Sequence, residues 1–259
     1  MRKYTKTIGA LAAASTLVAG YASAGDLEGF TGEVHVGYHS NYDFRFVDLG
    51  SDLVEAGVDV AYALNADWSL KAGAWYGSVN DSQTIAGNFN ELDLYAAAAT
   101  SLGPVDLEFG YIFYTYPDTN GSSDTQEVYL SAFTDVAWGI TAGATYFYDF
   151  DSNNGWYLQP EIRKSFQFND CVSLNLSAGL GIADGLNYQV PANPLSVGSH
   201  DGYQGYFLKA ELPWKFRDNV TLAPYVKYTD ADNDLAGDIN SIEGGQEHII
   251  TGVKLAVSF

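Results

Sequence analysis

The sequence predicts an all-β protein, a transmembrane antiparallel up-and-down β-barrel of about 12 strands with both termini on the periplasmic side. Three observations indicate this fold class. Segments of roughly ten residues alternate apolar and polar side chains. The connections between segments are short and long in turn. The apolar side of each segment carries almost no charge, whereas the polar side is rich in glycine, serine, asparagine and carboxylates.

Twelve segments follow this alternation along the chain. The first, EVHVGYHSNYDFRF, has apolar side chains at every second residue from Val34, with Glu33, His35 and His39 among the residues between them. The last, HIITGVKLAVSF, repeats the pattern up to Phe259. Because side chains alternate between the two sides of a strand, each segment presents one apolar and one polar face. The predicted strands cover residues 33–46, 53–64, 68–77, 91–100, 105–116, 127–133, 140–150, 156–168, 171–182, 206–216, 220–228 and 248–259.

The connections between these strands differ in length. Short turns are predicted at NAD (65–67), GP (103–104), DVAW (135–138), NDC (169–171) and RDN (217–219). The alternate connections are longer and polar: NDSQTIAGNFN, PDTNGSSDTQ, DSNNG, ADGLNYQVPANPLSVGSHDG and TDADNDLAGDINSIEGGQE. An outer-membrane barrel with an even number of strands has short turns at its periplasmic end and longer loops at the other.

The apolar faces favour a barrel in lipid over a soluble sandwich. Lys164 is the main charge on them, and a lipid-facing lysine costs about 2–4 kcal/mol at mid-bilayer. Aromatic residues crowd both strand ends, as expected for two interfacial girdles. They are Trp68, Trp138, Phe168, Trp214, Phe216 and Phe259 by the short turns, and Tyr42, Phe44, Phe46, Tyr76, Tyr148, Trp156 and Tyr228 by the long loops.

Three prolines, Pro160, Pro213 and Pro224, fall inside predicted strands. Proline cannot donate to a strand ladder, and a closed barrel has no free edge on which to accommodate it. We therefore expect each proline to mark a bulge or a strand boundary.

The first residues indicate export. MRKYTKTIGALAAASTLVAGYASA has three basic residues, then small apolar residues, and it closes on the A-x-A pattern of a cleaved signal. We predict a signal peptide at residues 1–24, a barrel domain at 25–259, and a location in the outer membrane of a Gram-negative bacterium. Cleavage would leave nine of the 12 Lys and Arg against all 32 Asp and Glu, a net charge of −23.

The net charge and the cysteine content argue against several classes of partner and ligand. A surface this acidic repels nucleic acid, so we expect no nucleic-acid partner. Cys171 is the single cysteine, and no Cys/His cluster has metal-ligand spacing. We therefore predict no cofactor and no metal. DADNDLAGD (230–238) superficially resembles a calcium loop, but Leu235 stands where that loop needs glycine, so a solvated acidic loop is the better interpretation.

Two stretches carry a family resemblance. SNYDFRFVDLG (40–50) is similar to the S-x-Y-x-F-R stretch that opens TorF-family porins, with Val47 where that family has glycine. YIFYTYPDTNGSSDTQEVYLSA (111–132) is similar to their tyrosine-rich Y-x-Y-P strand and the glutamate-bearing strand after it. The resemblance implies a signal peptide followed by an outer-membrane barrel along the whole chain. It implies a porin without a defined substrate and supplies no catalytic residues.

The polar faces define the candidate functional residues, since they would line the lumen. Acidic residues outnumber Lys and Arg there by twelve to six, once Glu55, Glu91, Asp106 and Asp149 are included. A net acidic wall favours cations and neutral polar solutes, so we predict a diffusion channel for them. The predicted pore-lining residues are Glu33, His35, His39, Asp43, Arg45, Asp59, Lys71, Asp93, Glu108, Glu127, Glu161, Arg163, Lys209, Glu211, Lys227 and Lys254.

Two alternatives stay open. The charges could pair across the lumen and fill it, which would leave a structural barrel without conductance. A lipid hydrolase would need a Ser or Thr nucleophile beside a histidine, and only His35, His39, His200 and His248 exist. We expect the first two histidines to be hydrogen-bonded lumen residues rather than general bases, so an enzyme is not expected.

The expected partners follow from this fold. They are outer-membrane lipid, small solutes or ions, and the barrel-assembly machinery through the C-terminal strand that ends in Phe259. A homo-oligomer is compatible with the apolar outer face.

Overall fold

The computed structural model describes residues 29–82, 87–119, 124–186, 201–232 and 247–259. The predicted signal peptide and His200 lie outside these ranges. Within them, no helix has the length and hydropathy needed to cross a membrane. The strands are β1 (Phe30–Phe44), β2 (Val47–Ala63), β3 (Trp68–Ser82), β4 (Gly87–Leu102), β5 (Val105–Thr115), β6 (Thr125–Asp135), β7 (Ile140–Asp149), β8 (Gly155–Gln167), β9 (Ser173–Asp184), β10 (Gly202–Glu211), β11 (Trp214–Arg217), β12 (Val220–Ala231) and β13 (Glu247–Ser258).

These strands close into one antiparallel barrel. Each strand from β1 to β9 pairs with the next along the chain, β1 also pairs with β13, and β12 pairs with β13, β10 and β11. Since β10 and β11 both pair with β12, they are two parts of one strand, and the described residues form a twelve-stranded barrel. The predicted all-β antiparallel barrel of about 12 strands is confirmed.

The gap between β10 and β11 contains Pro213. Across the ladder, the amide of Leu212 donates to the carbonyl of Pro224 over 2.9 Å, and Trp214 pairs with Leu222. Pro213 therefore marks the strand boundary expected of it, because it has no amide to donate. Pro160 and Pro224 lie within β8 and β12, which continue past them.

The alternation separates the two faces as predicted. Val36, Leu208 and Ile249 point outward and are 52%, 52% and 69% exposed. Glu55 and Asp59, on the other parity, point into the barrel and are each 1% exposed. The short-turn aromatics Trp68, Trp138, Phe168, Trp214, Phe216 and Phe259 are likewise exposed.

The long-loop aromatic band is only partly where we predicted it. Tyr42 and Phe46 are buried inside the barrel, and Phe44 packs against the same interior residues. The β1–β2 hairpin is irregular over this stretch: Asp52 has a positive φ of 54°, and the register shifts between Tyr42 and Asp43, so the alternation of sides does not continue from Tyr38 to Phe46. The prediction that these three aromatics face outward is wrong.

The same hairpin departs from the alternation of short and long connections. Phe44 pairs with Val47, so that β1 and β2 are joined by a two-residue turn at Arg45 and Phe46. Both residues have positive φ, 54° and 71°, as a type I′ turn requires. Neither is glycine or asparagine, so contacts elsewhere must offset the backbone strain.

Aromatic side chains fill the interior around this turn. One cluster joins Phe46, Val47, Ile112, Tyr114, Tyr129, Phe147, Tyr157, Ala183, Leu186, Phe207 and Ala231. A second joins Tyr42, Leu53, Trp75, Val79 and Phe89. The interior is therefore less polar than the sequence pattern indicated, and at this level it is packed with side chains.

Small residues provide the room for these rings. A side chain at Gly73 on β3 would overlap the ring of Tyr95, which lies across it from β4, and one at Gly110 would overlap Tyr129. Glycine at these positions lets a large ring lie flat against the inner wall.

We expect Gly73→Val to destabilise the barrel by about 1–3 kcal/mol, because the added side chain must displace the Tyr95 ring. The measurement is the urea midpoint of unfolding in detergent micelles. Ala72→Val is the matched control, since Ala72 is the neighbouring residue of β3 and is exposed on the outer face. Equal midpoints for the two variants would contradict the packing role of Gly73.

Candidate functional site: the charged barrel interior

The six basic residues predicted to line the lumen all pair with carboxylates there. The nitrogen–oxygen distance in each pair lies between 2.5 and 3.8 Å. The pairs are Arg45–Glu127, Lys71–Glu108, Arg163–Glu161, Lys209–Glu211, Lys227–Asp43 and Lys254–Glu33. Twelve of the sixteen predicted residues are thus in ion pairs, and the other four are His35, His39, Asp59 and Asp93.

The Lys71–Glu108 pair is tied into a wider network. Tyr129 donates a hydrogen bond of 2.7 Å to the second carboxylate oxygen of Glu108. The three residues come from β3, β5 and β6, so the pair spans several strands. The side chains of Lys71 and Glu108 are 11% and 5% exposed, so little water screens their attraction.

Arg45 crosses the barrel from the β1–β2 turn. Its two terminal nitrogens donate to both carboxylate oxygens of Glu127 on β6, over 2.7 and 2.6 Å. Its guanidinium carbon lies 4.7–4.8 Å from the ring centres of Phe44, Phe147 and Tyr157. A planar guanidinium suits this combination of a bidentate pair and ring stacking, which lysine could not reproduce.

Phe46 holds the other side of the turn. Its ring lies against Gly181 on β9 and Gly205 on β10, where an added Cβ would meet it at 2.5 and 3.0 Å. β1 itself pairs only with β2 and β13. The turn therefore reaches strands that pair with neither β1 nor β2, and it obstructs the interior near the end with the longer connections.

His39 belongs to a buried polar group that sequence reasoning identified only in part. Its Nδ1 lies 2.6 Å from the hydroxyl of Tyr225, and its Nε2 lies 3.3 Å from Glu55. The indole of Trp75 donates to the other oxygen of Glu55 over 2.6 Å. Trp75 follows Lys71 and Gly73 at every second residue of β3, so its position in the sequence already indicates that it points into the barrel.

His35 lies between two carboxylates from adjacent strands. Its Nδ1 is 3.9 Å from Glu33 and 3.5 Å from Asp59. Tyr95 donates a hydrogen bond to the other oxygen of Asp59. Tyr95, like Trp75, occupies a polar-parity position and was not selected from the sequence.

Asp93 lies beside Glu91 on the inner face of β4, and both are nearly fully buried. Tyr116 donates to Glu91 over 3.4 Å. Among the described residues, neither Glu91 nor Asp93 forms an ion pair with a Lys or Arg. Part of the acidic excess predicted for the interior therefore lies in this pair of neighbouring carboxylates.

Comparison with known protein families identifies the family of this chain. Residues 23–236 match the family described as bacterial protein of unknown function (Gcw_chp). The chain belongs to this family. No curated protein matches the sequence.

Outer-membrane porins and channels are among the solved structures with a similar fold. The KdgM porin has 12% identity and a TM-score of 0.50, with 88% of this chain and 99% of that chain covered. The NanC porin has 14% identity and a TM-score of 0.50, with 88% and 98% covered. An outer membrane channel from Pseudomonas putida F1 has 13% identity and a TM-score of 0.53, with 89% and 96% covered. The Gcw_chp chain is therefore similar to porins in fold.

We expect Lys71→Met to destabilise this protein by about 3–5 kcal/mol, because it leaves the buried Glu108 charge without its partner. The double variant Lys71→Met/Glu108→Gln should recover most of that loss, since it removes the orphaned charge as well. Urea midpoints in micelles measure both. Lys164→Met is the control, because the Lys164 ammonium contacts a backbone carbonyl at an exposed position. A double variant no more stable than the single one would contradict the pairing.

Proposed function

We propose that this protein is a narrow porin-like channel of the bacterial outer membrane that passes small cations and small neutral polar solutes. The acidic balance of its interior carries the proposal. Six carboxylates are matched by the six Lys and Arg side chains, and Glu55, Asp59, Glu91, Asp93, Asp106 and Asp149 remain as an excess. A wall with this excess attracts cations into the lumen.

The β1–β2 turn limits the size of what could pass. Arg45 and Phe46 occupy the interior between opposite walls, and their contacts with Glu127 and Gly181 hold the turn in place. A solute the size of an oligosaccharide would have to displace it. The proposal is therefore confined to ions and small molecules.

The outer face supports placement in a membrane. Its exposed apolar side chains would contact hydrocarbon, and the short-turn aromatics would lie at the interface. The predicted signal peptide, the resemblance of residues 40–50 and 111–132 to TorF-family porins, and the shared fold with the porins described above favour the same location. Assembly through the strand ending in Phe259, and oligomers built on the outer face, belong to this proposal.

A second candidate is a structural barrel without conductance. The burial of Glu55, Asp59 and Glu91, each 1% exposed, favours it because an open aqueous pore would leave such groups in contact with water. A lipid hydrolase would need a Ser or Thr beside a histidine, and the described histidines make their polar contacts with other residue types. Among the described residues, His35, His39 and His248 contact carboxylates, and His39 also contacts Tyr225.

Purified protein in a planar bilayer with a salt gradient should give a small single-channel conductance and a reversal potential of the sign that indicates cation preference. Asp106→Asn should reduce that preference, because Asp106 is an interior carboxylate that is only partly buried and that accepts a hydrogen bond from Ser101 without a basic partner in the ion pairs above. Asp67→Asn, at an exposed short turn, is the control and should leave the potential unchanged. Anion preference would overturn the selectivity, and silent bilayers with correctly folded protein would favour the structural barrel.

Releasing the β1–β2 turn should widen the channel. Arg45→Ala removes the bidentate pair with Glu127 and the three ring contacts, so we expect single-channel conductance to rise at least twofold. Arg217→Ala removes an arginine from the exposed short-turn end and serves as the control. An unchanged conductance in Arg45→Ala would show that the turn does not limit conduction.

A further inference from the structure

Three residues of the inner wall converge on one point. Glu33 and His35 are two residues apart on β1 and share its inner face, and Asp59 lies directly opposite Glu33 in the β1–β2 register. One ligand-type atom from each residue lies within 4.8 Å of the other two. All three residues are buried, and the His35 side chain has no exposed surface.

The facing atoms of this triad have no hydrogen-bond partner. They are Glu33 Oε1, both ring nitrogens of His35, and Asp59 Oδ2, and each of these atoms is buried. An unsatisfied buried polar group costs about 1–3 kcal/mol, and a charged one costs more. Buried polar atoms without partners therefore call for an ion or water between them.

The donor set and spacing fit a divalent transition-metal ion. Imidazole and carboxylate are zinc ligands with bonds of about 2.0–2.2 Å, which in a tetrahedral site separate neighbouring ligand atoms by about 3.4 Å. His35 Nδ1 lies 3.5 Å from Asp59 Oδ2 and 3.9 Å from Glu33 Oε1. An imidazole ligand disfavours calcium and magnesium, which bind through oxygen.

Neighbouring residues orient the triad. Tyr95 donates to the second oxygen of Asp59, which leaves Oδ2 directed at His35. The His35 ring lies over Gly57, where any side chain would overlap it. Outer-shell hydrogen bonds of this kind fix the orientation of metal ligands.

We propose that Glu33, His35 and Asp59 bind a divalent transition-metal ion of the zinc type inside the barrel, with a water molecule as the remaining ligand. The ammonium of Lys254, 3.8 Å from Glu33 Oε1, offsets part of the negative charge and limits the affinity. This site does not depend on conductance, so it can be tested whether or not the barrel is a channel.

The test is isothermal titration of Zn²⁺ into the barrel purified from membranes in detergent after treatment with a chelator. We expect one Zn²⁺ per chain. His35→Gln and Asp59→Asn should each weaken binding at least tenfold, and Tyr95→Phe should weaken it about tenfold through the orientation of Asp59. Co²⁺ in place of Zn²⁺ should give visible absorption bands that His35→Gln abolishes, because the imidazole is a direct ligand.

Matched controls separate this site from general effects of charge and folding. His39→Gln removes a histidine of the same strand whose Nδ1 already has a partner, and Glu211→Gln removes a buried carboxylate paired with Lys209. His248→Gln removes a more exposed histidine near Asp48 that could bind zinc adventitiously. All three should retain the Co²⁺ bands and the stoichiometry.

The opposite pattern would overturn the proposal. Undiminished Zn²⁺ binding in folded His35→Gln, or loss of binding in His248→Gln alone, would place the ion elsewhere. Absence of Zn²⁺ binding by the folded wild-type barrel would likewise overturn the proposal. Thermal unfolding of each variant without metal shows that it is folded before it is compared.

Discussion

The hydrogen-bonded closure of the sheet is the constraint on which the rest of the molecule depends. Because β1 pairs with β13 and β12 pairs with β10, no strand has a free edge, and the strands enclose a fixed interior. Every second side chain must then fit into that space. Apolar residues on the other parity are left on the outside, where they require lipid or a partner. Closure therefore explains why the basic residues inside the barrel are each paired with a carboxylate and why glycine lies under the large rings of Tyr95 and Tyr129.

The β1–β2 turn shows how interior contacts can maintain an unfavourable backbone. Arg45 and Phe46 both have positive φ, a conformation that ordinary side chains seldom adopt. The guanidinium is held by Glu127 and by three aromatic rings, and Phe46 fits against two glycines on β9 and β10. The backbone strain and the obstruction of the lumen therefore depend on the same conformation of the turn. If the turn relaxed, both would be lost. A turn with Asn-Gly would form as readily but would provide neither group.

Alternation along the chain was sufficient to predict the twelve strands, and β13 was expected at 248–259 and found at Glu247–Ser258. It was also sufficient to assign the acidic residues to the interior. It could not predict which charges meet, because Arg45 and Glu127 are 82 residues apart and their contact depends on barrel register and on an inward-bent turn. Tyr42 was misassigned because the alternation of sides does not continue from Tyr38 to Tyr42, in a stretch of the hairpin where Asp52 of β2 has a positive φ. Trp75 and Tyr95 could have been selected, because large aromatics on a polar parity signal a packed interior.

The pair of prolines at the β10–β11 interruption has a consequence for motion. Pro213 and Pro224 lie on adjacent strands close to the same point of the ladder, and neither can donate an amide hydrogen bond. Amide hydrogen exchange in the folded barrel should accordingly be fast around Leu212 and Trp214, because two amide donors are missing from the ladder there. The end of the barrel with the short turns, beside Cys171, would then be the first part to open locally.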